Sequence, residues 1–153
     1  MDIIKPIWDN ASLIFLKGFI PTVQLILTAV GISFIIGAVG GTIRTLKVPI
    51  LDQLLGVYIG LMRGTPFLVL LLIVYFVVFP IDAPYLAALV ALVLCHGGYS
   101  IEIFRGSIEA IQEGQTEAAK SVGMSFYQSM RFIIVPQALL SALPALIGQY
   151  ILL

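Results

Sequence analysis

The sequence predicts an all-α protein that crosses a membrane several times, and three observations lead there. Of 153 residues, 60% are hydrophobic and 10% are charged, whereas a water-soluble domain averages about a quarter charged residues. Mean hydropathy is +1.11. The apolar residues form long runs, with the charges gathered between them, which is the pattern of spanning helices. Zero formal net charge argues against nucleic acid as a partner. The one cysteine, Cys95, leaves no internal disulfide and no metal-ligand spacing, and reads as a small apolar filler.

Residues 1–18 mix Ile3, Ile4, Ile7 and Trp8 with Lys5 and Asp9, which suits a helix lying on the membrane surface, and they lack a cleavage site. Thr22 to Ile43 is the first span: 22 residues without a charge, reaching about 33 Å against a hydrocarbon core of about 30 Å. Gly31, Gly37, Gly40 and Gly41 within it let another helix approach closely. Pro49 to Gly64 holds Asp52, Gln53 and Arg63, and reads as a short surface helix leading back into the bilayer. Thr65 then caps a new helix with Pro66 at its first position. The span 66–79 is short, so it borrows depth from the preceding helix or from local thinning. After the turn Pro80–Pro84, a third span covers about 85–103 and continues into a charged stretch where Phe104, Ile108 and Ile111 share a face. A fourth apolar run, 137–153, is broken by Pro144, and the chain stops inside it.

Between the third and fourth runs lies GQTEAAKSVGMSFYQSMRFIIVP, residues 114–136, which reads as two short helices around a corner. Thr116 caps the first, Glu117 sits in its first turn, and Ala118, Ala119 and Val122 form one smooth face suited to close seating. Gly123 takes the left-handed corner, Ser125 and Gln128 form a capping box, and Pro136 interrupts the second helix. Phe126, Met130, Ile133 and Ile134 line one side of that second helix. A compact corner of this kind on the wet side of a membrane protein is a docking surface. Six of the eight basic residues, Arg44, Lys47, Arg63, Arg105, Lys120 and Arg131, fall on the side of that loop, so it is expected to be cytoplasmic and the N-terminus extracytoplasmic.

These residues resemble the EAA loop of ABC-importer permeases: Glu117-Ala118-Ala119, then Gly123, then Ile133 and Val135-Pro136. The EIxRGxI stretch at Glu102–Ile108 and the Arg63-Gly64-Thr65-Pro66 string match the polar amino-acid uptake branch. The resemblance covers roughly residues 58–150. It implies a type I importer-like helical bundle, a single permease domain apparently truncated at its C-terminus, and a multi-pass place in the inner (cytoplasmic) membrane. It implies a coupling loop at about 114–125 whose Gly114, Glu117, Ala118, Ala119, Gly123 and Pro136 serve ATPase coupling. It also implies partners: ABC ATPase subunits, a second permease subunit, identical or not, and an extracytoplasmic substrate-binding protein. The mechanism implied is alternating access, driven by ATP hydrolysis elsewhere.

His96 stands near the middle of the third span, followed by Gly97, Gly98, Tyr99 and Ser100. An ionisable group at that depth faces a cavity or a partner. Either His96 and Tyr99 line a substrate path, with the glycines opening the helix, or His96 is a helix-packing residue. The resembled permeases differ at 96–98, which loosens any inference about cargo. Glu102 and Arg105 are spaced for an ion pair. Glu109, Glu113 and Glu117 recur every four residues, and Gly114 is expected to break their register. The chain has no GxxxxGK[ST] phosphate loop, no catalytic triad and one histidine, so it is read as no enzyme, with no cofactor and no metal. The alternative is an ion-coupled transporter using His96 and Glu102 as a proton relay.

Overall fold

The computed structural model describes residues 5–79, 83–111 and 113–152; residues 1–4, with Ile3 and Ile4, and Pro80, Ile81, Asp82, Gln112 and Leu153 lie outside it. Every element among the described residues is helical: α1 (Lys5–Thr45), α2 (Pro49–Gly64), α3 (Phe67–Ile73) with a π-turn (Val74–Val78), α4 (Pro84–Glu109), α5 (Glu113–Ser121), α6 (Phe126–Ser129) with a second π-turn (Met130–Ile134), and α7 (Val135–Ile151). Three stretches are long and apolar enough to cross a membrane, Phe15–Thr45, Pro84–Glu109 and Phe126–Ile151, and α2 with α3 and its π-turn makes a further pair bent by 107°.

The surface helix expected at residues 1–18 is no separate element. Helix α1 runs unbroken for 41 residues with Pro21 inside it, about 60 Å at about 1.5 Å per residue. Proline is tolerated there because a helix of this length loses one bond of many, the one from position 21 to the Lys17 carbonyl.

Helix α4 is the axle. Its inner side buries Ala87, Ala91, Leu92, Cys95, Ser100, Ile101 and Phe104. Against it α1 packs through glycines: a Cβ at Gly37 would lie 2.4 Å from the Ser100 Cβ, at Gly40 2.7 Å from Ile101, and at Gly41 2.6 Å from the Phe104 Cβ. The partners advance together along both helices, so α1 and α4 run parallel. Gly31 has open space around it and takes no part in this seam.

The segment between two parallel helices must bring the chain back. Helix α2 starts beside the last turn of α1, where Asp52 bonds Arg44, and its Tyr58 hydroxyl donates to the Leu94 carbonyl at 2.6 Å. Gly97 and Gly98 give α2 room: Cβ atoms there would meet Tyr58 at 2.9 Å and Met62 at 3.1 Å. Helix α4 stays continuous through these two glycines, so they admit a neighbour and do not open the helix. Thr65 is not a cap. Its N–H closes α2 on Leu61, Pro66 is the N-cap without a side-chain bond, and Phe67 is the first residue of α3. Leu70 and Val74 then pack on Ala87, Ala91 and Cys95, toward the other end of α4.

Helix α7 returns antiparallel to α4. Ile134 and Ala138 meet Ile108, Ala142 and Leu146 meet Phe104, and the Tyr150 hydroxyl pairs with that of Ser100 at 2.8 Å. Pro136 does not interrupt the helix. The π-turn before it closes with Val135 N–H on the Met130 carbonyl, five residues back, and the helix continues through Pro136 in its first turn. Among the side chains expected on one side of this segment, Met130 and Ile134 are buried, whereas Phe126 is exposed.

Candidate functional site

Helix α4 ends at Glu109, and Ala110 and Ile111 make the turn into α5. The break therefore falls before Gly114, which lies inside α5 and does not interrupt it; Thr116 likewise sits within the helix and caps nothing. At the other end of α5, Met124 N–H bonds the Ala119 carbonyl at 3.0 Å and Gly123 N–H bonds that of Lys120 at 2.9 Å. These two bonds define a Schellman ending, and Gly123 supplies its left-handed residue with φ +79°. The capping box follows, with Gln128 N–H donating to Ser125 Oγ at 3.3 Å and Ser125 N–H to Gln128 Oε1 at 2.8 Å. A helix stop and a helix start within a few residues fix the backbone of the corner through its own hydrogen bonds.

Which face of α5 points outward differs from expectation. Ala119 is 1% exposed, while Ala118 is exposed and Val122 is 75% exposed. Since α5 packs on α6 and the second π-turn, Ala119 is the residue that seats it there. Successive helical residues are about 100° apart, so Ala118 and Ala119 cannot serve one face equally. The surface offered outward carries Gly114, Glu117, Ala118 and Val122.

A prediction arises at the corner. No atom lies within 4 Å of a Cβ added at Gly123, so only the backbone resists substitution. Gly123→Val should cost about 1–2 kcal/mol, and Gly123→Asn much less, because asparagine tolerates the left-handed region. Hydrogen exchange of the Gly123 and Met124 amides should quicken about tenfold in the valine variant and change little in the asparagine one.

Deeper in the bundle, His96 is buried, and its Nδ1 lies 3.2 Å from Gln149 Nε2 on α7. With Ser100 and Tyr150 this makes a polar seam between α4 and α7. Ser33 of α1, 0% exposed, finds no hydrogen-bond partner for its hydroxyl among the described residues. Tyr99 belongs elsewhere: the Arg63 guanidinium of α2 stands 5.3 Å from its ring centroid. The structure thus separates His96 and Tyr99 into different seams. Gln149 and Tyr150 were missed because an apolar run broken by Pro144 carries no local mark of which polar residues turn inward.

At the C-terminal end of α4 stands a charged chain. Arg44 donates from Nε to Asp52 at 2.8 Å and from Nη1 to Glu102 at 2.9 Å. Arg105 also bonds Glu102, and reaches Glu109 at 2.6 Å. The expected Glu102–Arg105 pair is thus the middle of a five-residue network joining α1, α2 and α4. His96 and Glu102 are engaged with separate partners, Gln149 for the first and Arg44 with Arg105 for the second.

Residues 29–153 match the family described as "Binding-protein-dependent transport system inner membrane component". The chain belongs to that family. As a permease it is a transporter subunit and not an enzyme, a multi-pass protein of the inner membrane whose ATPase is a separate subunit. It is similar to the probable glutamine ABC transporter permease protein GlnP of Bacillus subtilis, 35% identical over 94% of this chain and 68% of that protein. The probable amino-acid ABC transporter permease protein PatM of Vibrio harveyi is 39% identical over 90% of this chain and 65% of its own length. A crystal structure of an amino acid ABC transporter with histidines superposes with TM-score 0.82 at 32% identity, over 95% of this permease and 69% of that chain. The permease therefore spans about two thirds of the length of these relatives.

Proposed function

We propose that this permease carries a polar amino acid across the membrane by alternating access, with α5 and its corner seated on an ATPase subunit and a binding protein delivering cargo from the other side. The observation that carries the reading is the capped corner between α5 and α6, with Glu117, Ala118 and Val122 of α5 facing outward. Gly114, Glu117, Ala118 and Gly123 shape the docking element, and Ala119 and the π-turn before Pro136 support it from within. A second permease subunit completes the path, and the excess of basic residues puts the corner in the cytoplasm. The names of the relatives, which include a probable glutamine permease, an L-cystine permease and an amino acid ABC transporter crystallised with histidines, support the class of cargo.

The test is uptake by vesicles holding the permease assembled with its ATPase and binding proteins. ATP-dependent accumulation of glutamine, histidine or cystine that survives a protonophore is the expected result; uptake abolished by the protonophore while ATP persists would overturn it. For the substrate path we place His96 with Gln149, at the α4–α7 seam, and leave Tyr99 to Arg63. His96→Ala should shift KM at least severalfold for one of these amino acids while leaving insertion intact, because the vacated imidazole orphans Gln149 inside the bundle. Unchanged kinetics for all three would return His96 to packing alone.

A further inference from the structure

We propose that Arg44 is a positioning residue for coupling: it makes α1 and α2 follow the coupling end of α4 as one body. The inference rests on the importer reading and adds to it the route by which movement at the corner reaches the other helices.

The geometry is that of a clamp. One guanidinium on the last turn of α1 spends two different nitrogens on two carboxylates, Asp52 on α2 and Glu102 on α4. Glu102 is shared with Arg105, and Arg105 extends the chain of charges to Glu109, which is the last residue of α4 and four positions before Glu113 opens α5. From the corner, the order of hand-over is Glu109, Arg105, Glu102, Arg44, Asp52.

The side chains of Arg44 and Glu102 are 18% and 26% exposed, so opening the link strands desolvated charge. Elsewhere α1 and α2 meet α4 through glycines and apolar groups, together with the Tyr58 hydroxyl and the Arg63 guanidinium over the Tyr99 ring, none of which ties α1 to both α2 and α4. The network supplies the directional hold at the end where force would enter. A lysine cannot replace this arginine: it places one compact charge where two fixed N–H directions are used.

The experiment uses the complete transporter, with ATPase and binding proteins, in proteoliposomes, and reads ATP hydrolysed per amino acid imported for wild type, Arg44→Lys and Asp52→Asn. Both variants are conservative and should assemble and melt near wild type. The expected result is hydrolysis retained with the ratio raised about fivefold or more in each, because Arg44→Lys loses the fork geometry while keeping the charge, and Asp52→Asn neutralises the carboxylate that ties α2 to the fork. If import and hydrolysis fall in proportion, alongside a lower melting temperature, Arg44 is only a tether and the proposal is overturned. An unchanged ratio in both variants overturns it as well. Wild-type transporter that shows no ATP-dependent import takes down the importer reading and this proposal together, whereas wild-type import with unaltered variants sinks the proposal alone.

Discussion

Gly37→Val is expected to unseat α1 from α4 and to leave little folded protein. A Cβ at Gly37 would stand 2.4 Å from the Ser100 Cβ and 2.9 Å from the Ser100 carbonyl carbon. The second of these is backbone, inside a continuous helix, and cannot swing aside. The helices would have to part by an ångström or more along the contact that also holds Gly40 against Ile101 and Gly41 against Phe104. Loss of close packing in a seam of this length belongs with the largest single-residue effects, several kcal/mol. Gly31→Val on the same helix is the control, since a Cβ there meets nothing within 4 Å. Thermal unfolding in detergent should drop by about 10 °C or more for Gly37→Val and barely move for Gly31→Val. Equal melting of the two would mean that α1 and α4 do not meet through these glycines.

Ala119→Arg is expected to remove the corner's function, and by a different route from Ala118→Arg. Ala119 is 1% exposed, beneath α5, where arginine would introduce an unpaired charge at a cost of several kcal/mol. The helix would lift from α6 and the second π-turn, and amide protection through α5 should vanish. Ala118 faces outward, so Ala118→Arg should leave protection in α5 intact while blocking the partner by bulk and charge. Both variants are expected to lose substrate-stimulated ATP hydrolysis in the assembled transporter, and only the Ala119 variant to lose order in the free permease. Retention of stimulated hydrolysis by both would disconnect α5 from the ATPase.

What could be read from the sequence follows from how local each signal is. The helical membrane class, the corner and its capping box are spelled by neighbouring residues: an uncharged run of a given length, a glycine before Ser125, a glutamine three residues on. Family membership was legible for the same reason, since the loop and the stretch from Glu102 to Ile108 are contiguous patterns. What was misplaced depends on contacts across the chain. Ala118 and Ala119 are equally small, and only the packing of α5 on its neighbours decides which one turns inward. Thr116 and Gly114 look like a cap and a breaker, yet α5 begins at Glu113 because α4 stops for its own reasons at Glu109. Pro136 looks like a stop, and the extra residue of a π-turn removes its clash. Arg44 and Glu102 are 58 positions apart, a separation that no local pattern can bridge. The pairing of Asp52 with Arg44, and the inward turn of Gln149 and Tyr150, escaped notice for the same reason.

The parallel run of α1 and α4 reduces the sidedness of the whole chain to a single binary variable. The turn at 46–48 follows α1, and the corner at Gly123 lies between the end of α4 and the segment whose Met130 and Ile134 pack on Ile108 of α4, so both fall at the end to which the two parallel helices point and must face the same compartment. A thiol placed at Lys47 and another at Gly123 would report one answer to an impermeant reagent, never two. The chain's only native thiol, Cys95, is buried among α3 and α4 side chains and would contribute little background. One labelling reaction on intact cells, repeated on opened ones, would assign every loop at once.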